Sequence, residues 1–343
     1  MALRTLSEYE EMRRRRQAAV YLATQQLWSQ MSDDLDSSWS RISRRIGSLV
    51  TAAQYGAAEE ALAYVPAVLA EQGVDSPPLA DVDPGAVSGV ATSTDGLAYG
   101  SLDDLLYGSV IHAKRADADS LSERLDIGGK QLSSLVFTQV ADAGRMAATT
   151  SIAVRPKTGW VRQVNPPCCK RCAVLAGKWF RHNQGFDRHP NCDCTHIPHA
   201  EDTPDNPATT IGPDDVKDLS KAERKAIAVG ADMNQVINAS RKGALTKTGR
   251  WTREGTTKRG WYAHIQREIA KQEGRSLEYT TTSTGRRGAV ANYKVRRLAP
   301  RATPQAIVDM SANDEEMFRL LARSGYISGG RSIADVARLA RGL

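Results

Sequence analysis

The sequence predicts a mainly α-helical protein: an elongated helical N-terminal region, a small α+β module, and a basic, partly flexible C-terminal region that ends in helices. Three observations carry that prediction. Apolar residues recur every three or four positions through the first 70 residues and again over 101–150. All five cysteines fall between positions 168 and 194. The charge is split, with net −7 over 1–150, +6 over 151–200 and +8 over 201–343. An acidic first half joined to a basic second half points to different partners for the two.

A 343-residue chain that is 41% hydrophobic and 6% aromatic suits several small cores better than one large one. No run of eighteen apolar residues occurs, so no membrane anchor is expected. The start, "MALRTLSEYEEMRRRR", lacks the apolar stretch of a secretory signal. Synthesis in a reducing cytoplasm is therefore expected, where clustered thiols serve metal binding or catalysis rather than disulfides.

The N-terminal helical region is placed at 1–72. Its helix runs over 7–70 as one long helix or a hairpin, with Ser7 and Glu10 as a capping box. Trp28, Met31, Leu35, Trp39, Ile42, Ile46 and Leu49 form an apolar stripe on one face. Core is the favoured role for that stripe; a coiled-coil or subunit-packing face is the sharper alternative. Residues 73–100, rich in Pro, Gly, Ser and Asp, are a linker. Helices follow at 101–116 and 118–150, the second with Leu121, Leu125, Leu132, Leu135, Val136 and Val140 on its buried face.

The α+β module occupies 160–200 at the end of a domain spanning 101–200. "GWVRQVN" alternates as a strand should, and "GKWFRHN" is its expected partner. Residues 201–240 are a polar linker with short helices, one capped by Ser220 and Glu223. Residues 241–298 are basic and aperiodic, hence flexible. Over 241–297 they carry 15 Lys+Arg against 4 Asp+Glu, interleaved with Trp251, Trp261, Tyr262, Tyr279 and Tyr293. Residues 299–343 hold the closing helices. One starts at Thr303-Pro304 and runs through Met317 and Leu321; the other starts at Ser332. No internal repeat occurs.

The chemistry lies in "CCKRCAVLAGKWFRHNQGFDRHPNCDC", residues 168–194. Cys169 and Cys172 stand in C-x2-C, and Cys192 and Cys194 in C-x-C, with His189 just before them. Each pair aims two sulfurs at one point, and two pairs close a tetrahedron around a soft divalent ion, zinc above all. The expected structural-zinc ligands are Cys169, Cys172, His189 and one or both of Cys192 and Cys194. The alternative, an unmetallated thiol cluster, is less favoured by this spacing. Cys168 is a spare, and His182, His196 and His199 are weaker candidates. A module with so little core of its own would draw its folding energy from the metal.

Catalytic patterns fail or fare poorly. No H-x-E precedes the cysteines as a zinc deaminase requires. There is no H-E-x-x-H, and the window offers only Asp187 and Asp193 as carboxylates. No G-x-S-x-G occurs. A His-Asn-type nuclease using His189 and Asn191 needs a free histidine, which a zinc ligand is not. No catalytic residue is expected.

The order C-x2-C, "LAGKWF", "HPNCDC" and a following proline resembles the signature of the phage Mu F-type minor head proteins, also called head morphogenesis proteins. Cys169 and Cys172, with Leu175 and Gly177, match its first part. His189, Pro190, Cys192, Cys194 and Pro198 match its second. Asp193 departs from the family's arginine, which weakens an anion-binding role there. The resemblance covers residues 120–200, and the flanking regions are more loosely similar to minor capsid proteins of actinobacterial tailed phages. It implies a non-enzymatic virion component inside the capsid, bound to the portal protein and acting in head assembly, DNA packaging or DNA ejection. Contacts with major capsid or scaffold protein, and with packaged double-stranded DNA through 241–298, are the further partners expected. A cytoplasmic zinc-containing DNA-binding protein or nuclease is the alternative.

Overall fold

The structure is a computed structural model that describes residues 3–88, 101–186, 188–201, 203, 205–283 and 294–342. Helices make up 55% of the described residues. Among the described residues, no helix is long and apolar enough to cross a membrane. The chain divides into two units, Met1–Asn165 with Leu175–Thr210, and Pro166–Val174 with Ile211–Leu343.

The first unit opens with a hairpin of α1 (Arg4–Trp28) and α2 (Leu35–Glu71). Asp34 ends the connection by accepting the N–H of Ser37 at 3.1 Å. The capping box expected at Ser7 and Glu10 is absent, because the helix already begins at Arg4 without a side-chain cap of its own. The Glu71 carboxylate instead accepts the N–H groups of Arg4 and Thr5 at 2.8 and 2.9 Å. A distant residue thus meets the need of an unsatisfied helix start.

After a single turn, α3 (Pro84–Val87), come α4 (Leu102–Arg115) and α5 (Leu121–Ala153). Ser120 and Glu123 form a reciprocal capping box at the start of α5. The N-terminal stripe is core: Trp28, Met31, Leu35, Trp39, Ile42 and Ile46 are buried with Leu106, Val110, Leu132, Val136 and Val140. Leu49 lies at the surface, and Val50 takes the inward place. The regions assigned to 1–72 and 101–150 therefore share one core. Gly128 and Gly129 let α5 close on Trp28, since a Cβ at Gly128 would stand 2.7 Å from the indole. The indole N–H donates to Leu125 O at 2.9 Å.

The unit ends in an antiparallel sheet of β1 (Thr158–Gln163), β2 (Trp179–Phe180) and β3 (Thr195–Ala200), in the order β2-β1-β3. The expected hairpin is present with only two residues in β2, and β3 was not expected. Trp160, Val161 and Ile197 are buried with Ala58, Ala61, Tyr64, Val65, Val68, Ala147 and Ile152. The module, expected to have little core of its own, packs its sheet into the core of α2 and α5.

In the second unit, α6 (Lys170–Ala173) is a single turn. The preceding Cys168 pairs through its backbone with the next segment, Cys168 N–H to Asp215 O at 2.8 Å and Lys217 N–H to Cys168 O at 3.0 Å. Then follow α7 (Lys221–Ala228), with the Ser220–Glu223 capping box present, and α8 (Met233–Ala239). Next come β4 (Trp251–Thr252), α9 (Trp261–Gln272), β5 (Thr280–Ser283), β6 (Lys294–Arg297) and β7 (Arg301–Ala302).

The described part of 241–298 holds the helix α9 and the short strands β4 to β6, joined by turns and loops, where the sequence showed no period. Its apolar residues Ile265 and Ile269 join Val236, Ile307, Met317, Leu321, Tyr326 and Val336 in a core. Tyr293 and the rest of 284–293, like 89–100 of the linker, lie outside the described residues. The expected helix from Thr303 is two, α10 (Pro304–Met310) and α11 (Asp314–Arg323). Asn313 breaks it by capping α11, accepting the Glu316 N–H at 2.8 Å. The last helix, α12 (Ile333–Arg341), starts behind Ser332.

Candidate metal centre

Each cysteine pair stands where the backbone turns. Cys169 is the extended residue before α6, and Cys172 lies within that turn. Asn191, with φ +58, bends the chain into Cys192 and Cys194. Asparagine tolerates that left-handed conformation better than most residues.

The donor atoms of Cys169, Cys172 and His189 lie within 4.8 Å of one another, as do those of Cys172, Cys192 and Cys194. A tetrahedral zinc with sulfurs at about 2.3 Å needs donor–donor separations of about 3.8 Å, so both groups are near the required spacing. All five expected ligands are brought together, Cys172 belonging to both groups. This Cys/His cluster can hold a metal ion such as zinc. Cys172, Cys192 and Cys194 are buried, and Cys169 and His189 are half-buried.

The His189 ring is oriented for such a role. Its Nδ1 lies 2.7 Å from Pro190 O. A carbonyl only accepts, so a proton on Nδ1 would make Nε2 the nitrogen offered to a metal.

Side chains from α1, α5 and the end of β1 hold the C-x-C loop. Arg145 Nε donates to Cys194 O at 3.1 Å, and its Nη2 donates to Cys192 O. Arg162 Nη2 points at Cys192 Sγ, 3.7 Å away, while its guanidinium lies 4.1 Å over the Phe186 ring. Arg13 pairs with the Asp193 carboxylate at 2.5 Å and donates to Asp193 O at 3.2 Å. Asn165 Nδ2 donates to the same carbonyl at 3.1 Å. Asp142 anchors the arrangement, accepting from Arg145 Nη1 and from Arg188 Nε, both at 2.8 Å.

The other candidates stand apart from both groups. Burial pushes the Cys168 thiol up to about 11, so it stays protonated at neutral pH. His196, on β3, packs edge-on against Trp160 and contacts Thr149 Oγ1 at 3.1 Å. Burial, then the nearby Arg145 and Arg162, hold its pKa well below the ordinary histidine range. His199 Nδ1 and Nε2 lie 2.9 and 2.7 Å from the carbonyls of Ala200 and Asp205. His182 is exposed, and Asp187 lies outside the described residues. Arg13, Asp142, Arg145 and Arg162 were missed by sequence reasoning. The one available signal was a charged pair, Asp142 and Arg145, set among the small residues of "ADAGRMAA".

Comparison with protein-family models, with curated proteins and with solved structures finds no match for this chain.

Proposed function

We propose that the cluster is a structural zinc site and that the chain is a minor, portal-associated protein of a tailed-phage head, without catalytic activity. The observation that carries the zinc reading is the pair of donor groups sharing Cys172, with three of the thiols buried. Structural zinc sites are closed by four protein ligands, whereas catalytic ones keep a position open to water. Buried thiols fit the closed kind.

The placement of His189 beside Cys169 and Cys172 supports a ligand role over that of a free nuclease base. The head-protein reading rests on the resemblance of the 168–198 pattern, and on an acidic helical half with a basic half behind it. Acting inside the head, it would contribute to assembly, packaging or ejection of DNA.

Two measurements test this. Elemental analysis of the purified chain should give one zinc per chain, lost together in the Cys172→Ser variant; no zinc in freshly purified protein defeats the metal reading. Quantitative mass spectrometry of DNA-filled virions should find a few copies of the chain per portal ring. Absence from virions, with presence in infected-cell lysate, defeats the head-protein reading.

A further inference from the structure

The basic segment was expected to offer aromatic rings for stacking, and the structure uses most of them otherwise. Trp261 donates its indole N–H to Ile327 O at 3.1 Å and packs on the second unit's core. Tyr262 is half-buried, its ring 5.6 Å from the Arg301 guanidinium. Tyr279 is flanked by cations: the Arg296 guanidinium stands 5.4 Å and the Lys258 ammonium 6.0 Å from its ring centroid. Trp251, 46% exposed, is the open ring among the described residues of the segment.

What the segment does present is positive charge in a built arrangement. Lys294 and Arg296 sit two residues apart on β6, so their side chains leave the same face about 7 Å apart. Arg296 pairs with Thr281 on β5. On its other side Lys258 N–H donates to Arg296 O, and Leu298 N–H to Thr256 O, both at 2.9 Å. That pairing brings Lys258 beside Arg296 over the same tyrosine. Lys258, Lys294 and Arg296 are all exposed.

The ion pairs of this unit lie elsewhere, at Lys170–Glu223, Arg224–Asp214, Lys225–Asp314, Arg275–Glu273 and Arg338–Asp335. Among the described residues none involves these three cations. Like charges gathered without a carboxylate repel one another, and a cation–π contact at an exposed site returns only about 0.5–1 kcal/mol. An arriving polyanion relieves that repulsion.

We propose that the face formed by Lys258, Lys294 and Arg296 binds the phosphate backbone of double-stranded DNA without reading its sequence. A regular line of phosphates matches cations repeated along a strand. Tyr279 holds two of the cations in place instead of stacking on a base. This inference rests on the head-protein reading, in which the chain works beside the packaged genome.

The test is fluorescence anisotropy of a labelled random-sequence duplex with the full chain, from about 50 to about 200 mM salt. Three phosphate contacts predict a slope of log affinity against log salt of about −2.7. The triple variant Lys258→Ala, Lys294→Ala, Arg296→Ala should bring that slope near zero. A control triple at exposed lysines of the same unit, Lys217→Ala, Lys221→Ala, Lys242→Ala, changes net charge equally and should leave it unchanged. Arg296→Lys keeps the charge and should keep the slope, and circular dichroism checks that each variant is folded.

Equal losses in the two triples would mean diffuse attraction and overturn the proposal. So would tighter binding to poly-glutamate than to duplex, or strong preference for one DNA sequence. DNA binding by a chain absent from virions would sink the head-protein reading and leave this face standing. A chain present in virions that ignores DNA would do the reverse.

Discussion

In the first unit Arg145 and Arg188 are buried against one carboxylate, Asp142, and Arg145 then spends its remaining donors on the carbonyls of Cys192 and Cys194. In the second, Arg301 is buried with no ion pair among the described residues. It donates to Ser324 O at 2.8 Å, Gly325 O at 3.3 Å and Gln235 Oε1 at 3.2 Å, and lies 4.3 Å over the Tyr326 ring. Burial pushes the Arg301 pKa down. One guanidinium group is neutralised and used to position a loop. The other is solvated by dipoles and rings, and it satisfies the carbonyls where α11 ends. The contrast teaches that a counter-ion is only one way to hold a buried cation, and that carbonyls and aromatic rings around it are another.

The comparison can be broken experimentally. Asp142→Asn should have the largest effect, because it leaves two buried guanidinium groups without their anion. A loss of about 3–5 kcal/mol is expected. Hydrogen-exchange mass spectrometry should place the loss of protection in α5 and the C-x-C loop, and zinc affinity by chelator competition should fall about 10–100-fold. Unchanged exchange there would show that Asp142 is dispensable.

Arg301→Met keeps the bulk and removes the donors, stranding the carbonyls behind α11. It should cost roughly 2–3 kcal/mol, with exchange rising in α11 and the segment after it but not in α5.

High pH probes both units at once. Burial raises the phenol pKa of Tyr326 in the second unit and, with help from Tyr9, Glu10 and Glu71, that of Tyr64 in the first. A folded-state pKa above the unfolded value means that this stabilisation is complete below pH about 10 and lost as pH rises through the folded value. Circular dichroism should therefore show unfolding on alkaline titration, and Tyr326→Phe should shift it to higher pH in the second unit alone.

The smallest effects belong to the helix caps. Ser120→Ala and Ser220→Ala should each cost about 1 kcal/mol, read as a lowered denaturation midpoint.

Where the sequence was legible, the information was local. Ser220, Thr303 and Ser332 announce their helices because a cap works within four residues. Ser7 misled because Glu71, far along the chain, does its work. The strand β3 was hidden by Pro198 and two histidines, in a segment with no apolar alternation. The helix α9 was hidden likewise: Ile265 and Ile269 are too few to show a period, and their partners lie in α8 and α10–α12.

The centre follows the same rule. Its five donors are spaced within one short window, so their type and number could be read directly. The arginines that hold the C-x-C loop come from positions 13, 145 and 162, and nothing local distinguishes them from surface cations.

The contact of Trp28 with Gly128 and Gly129 constrains how this chain can diverge. The indole occupies the space that a Cβ on either glycine would claim, so the three positions cannot drift independently. Gly128→Ala is harmful whatever stands at position 28, because its Cβ would also lie 2.8 Å from Ala113 Cβ and 2.9 Å from Ser109 O. At Gly129 the order of substitution matters: its Cβ would crowd only the indole, at 3.0 Å, so a lineage that shrinks position 28 first can reopen that glycine to change. One that begins at Gly129 meets a barrier before it meets any benefit.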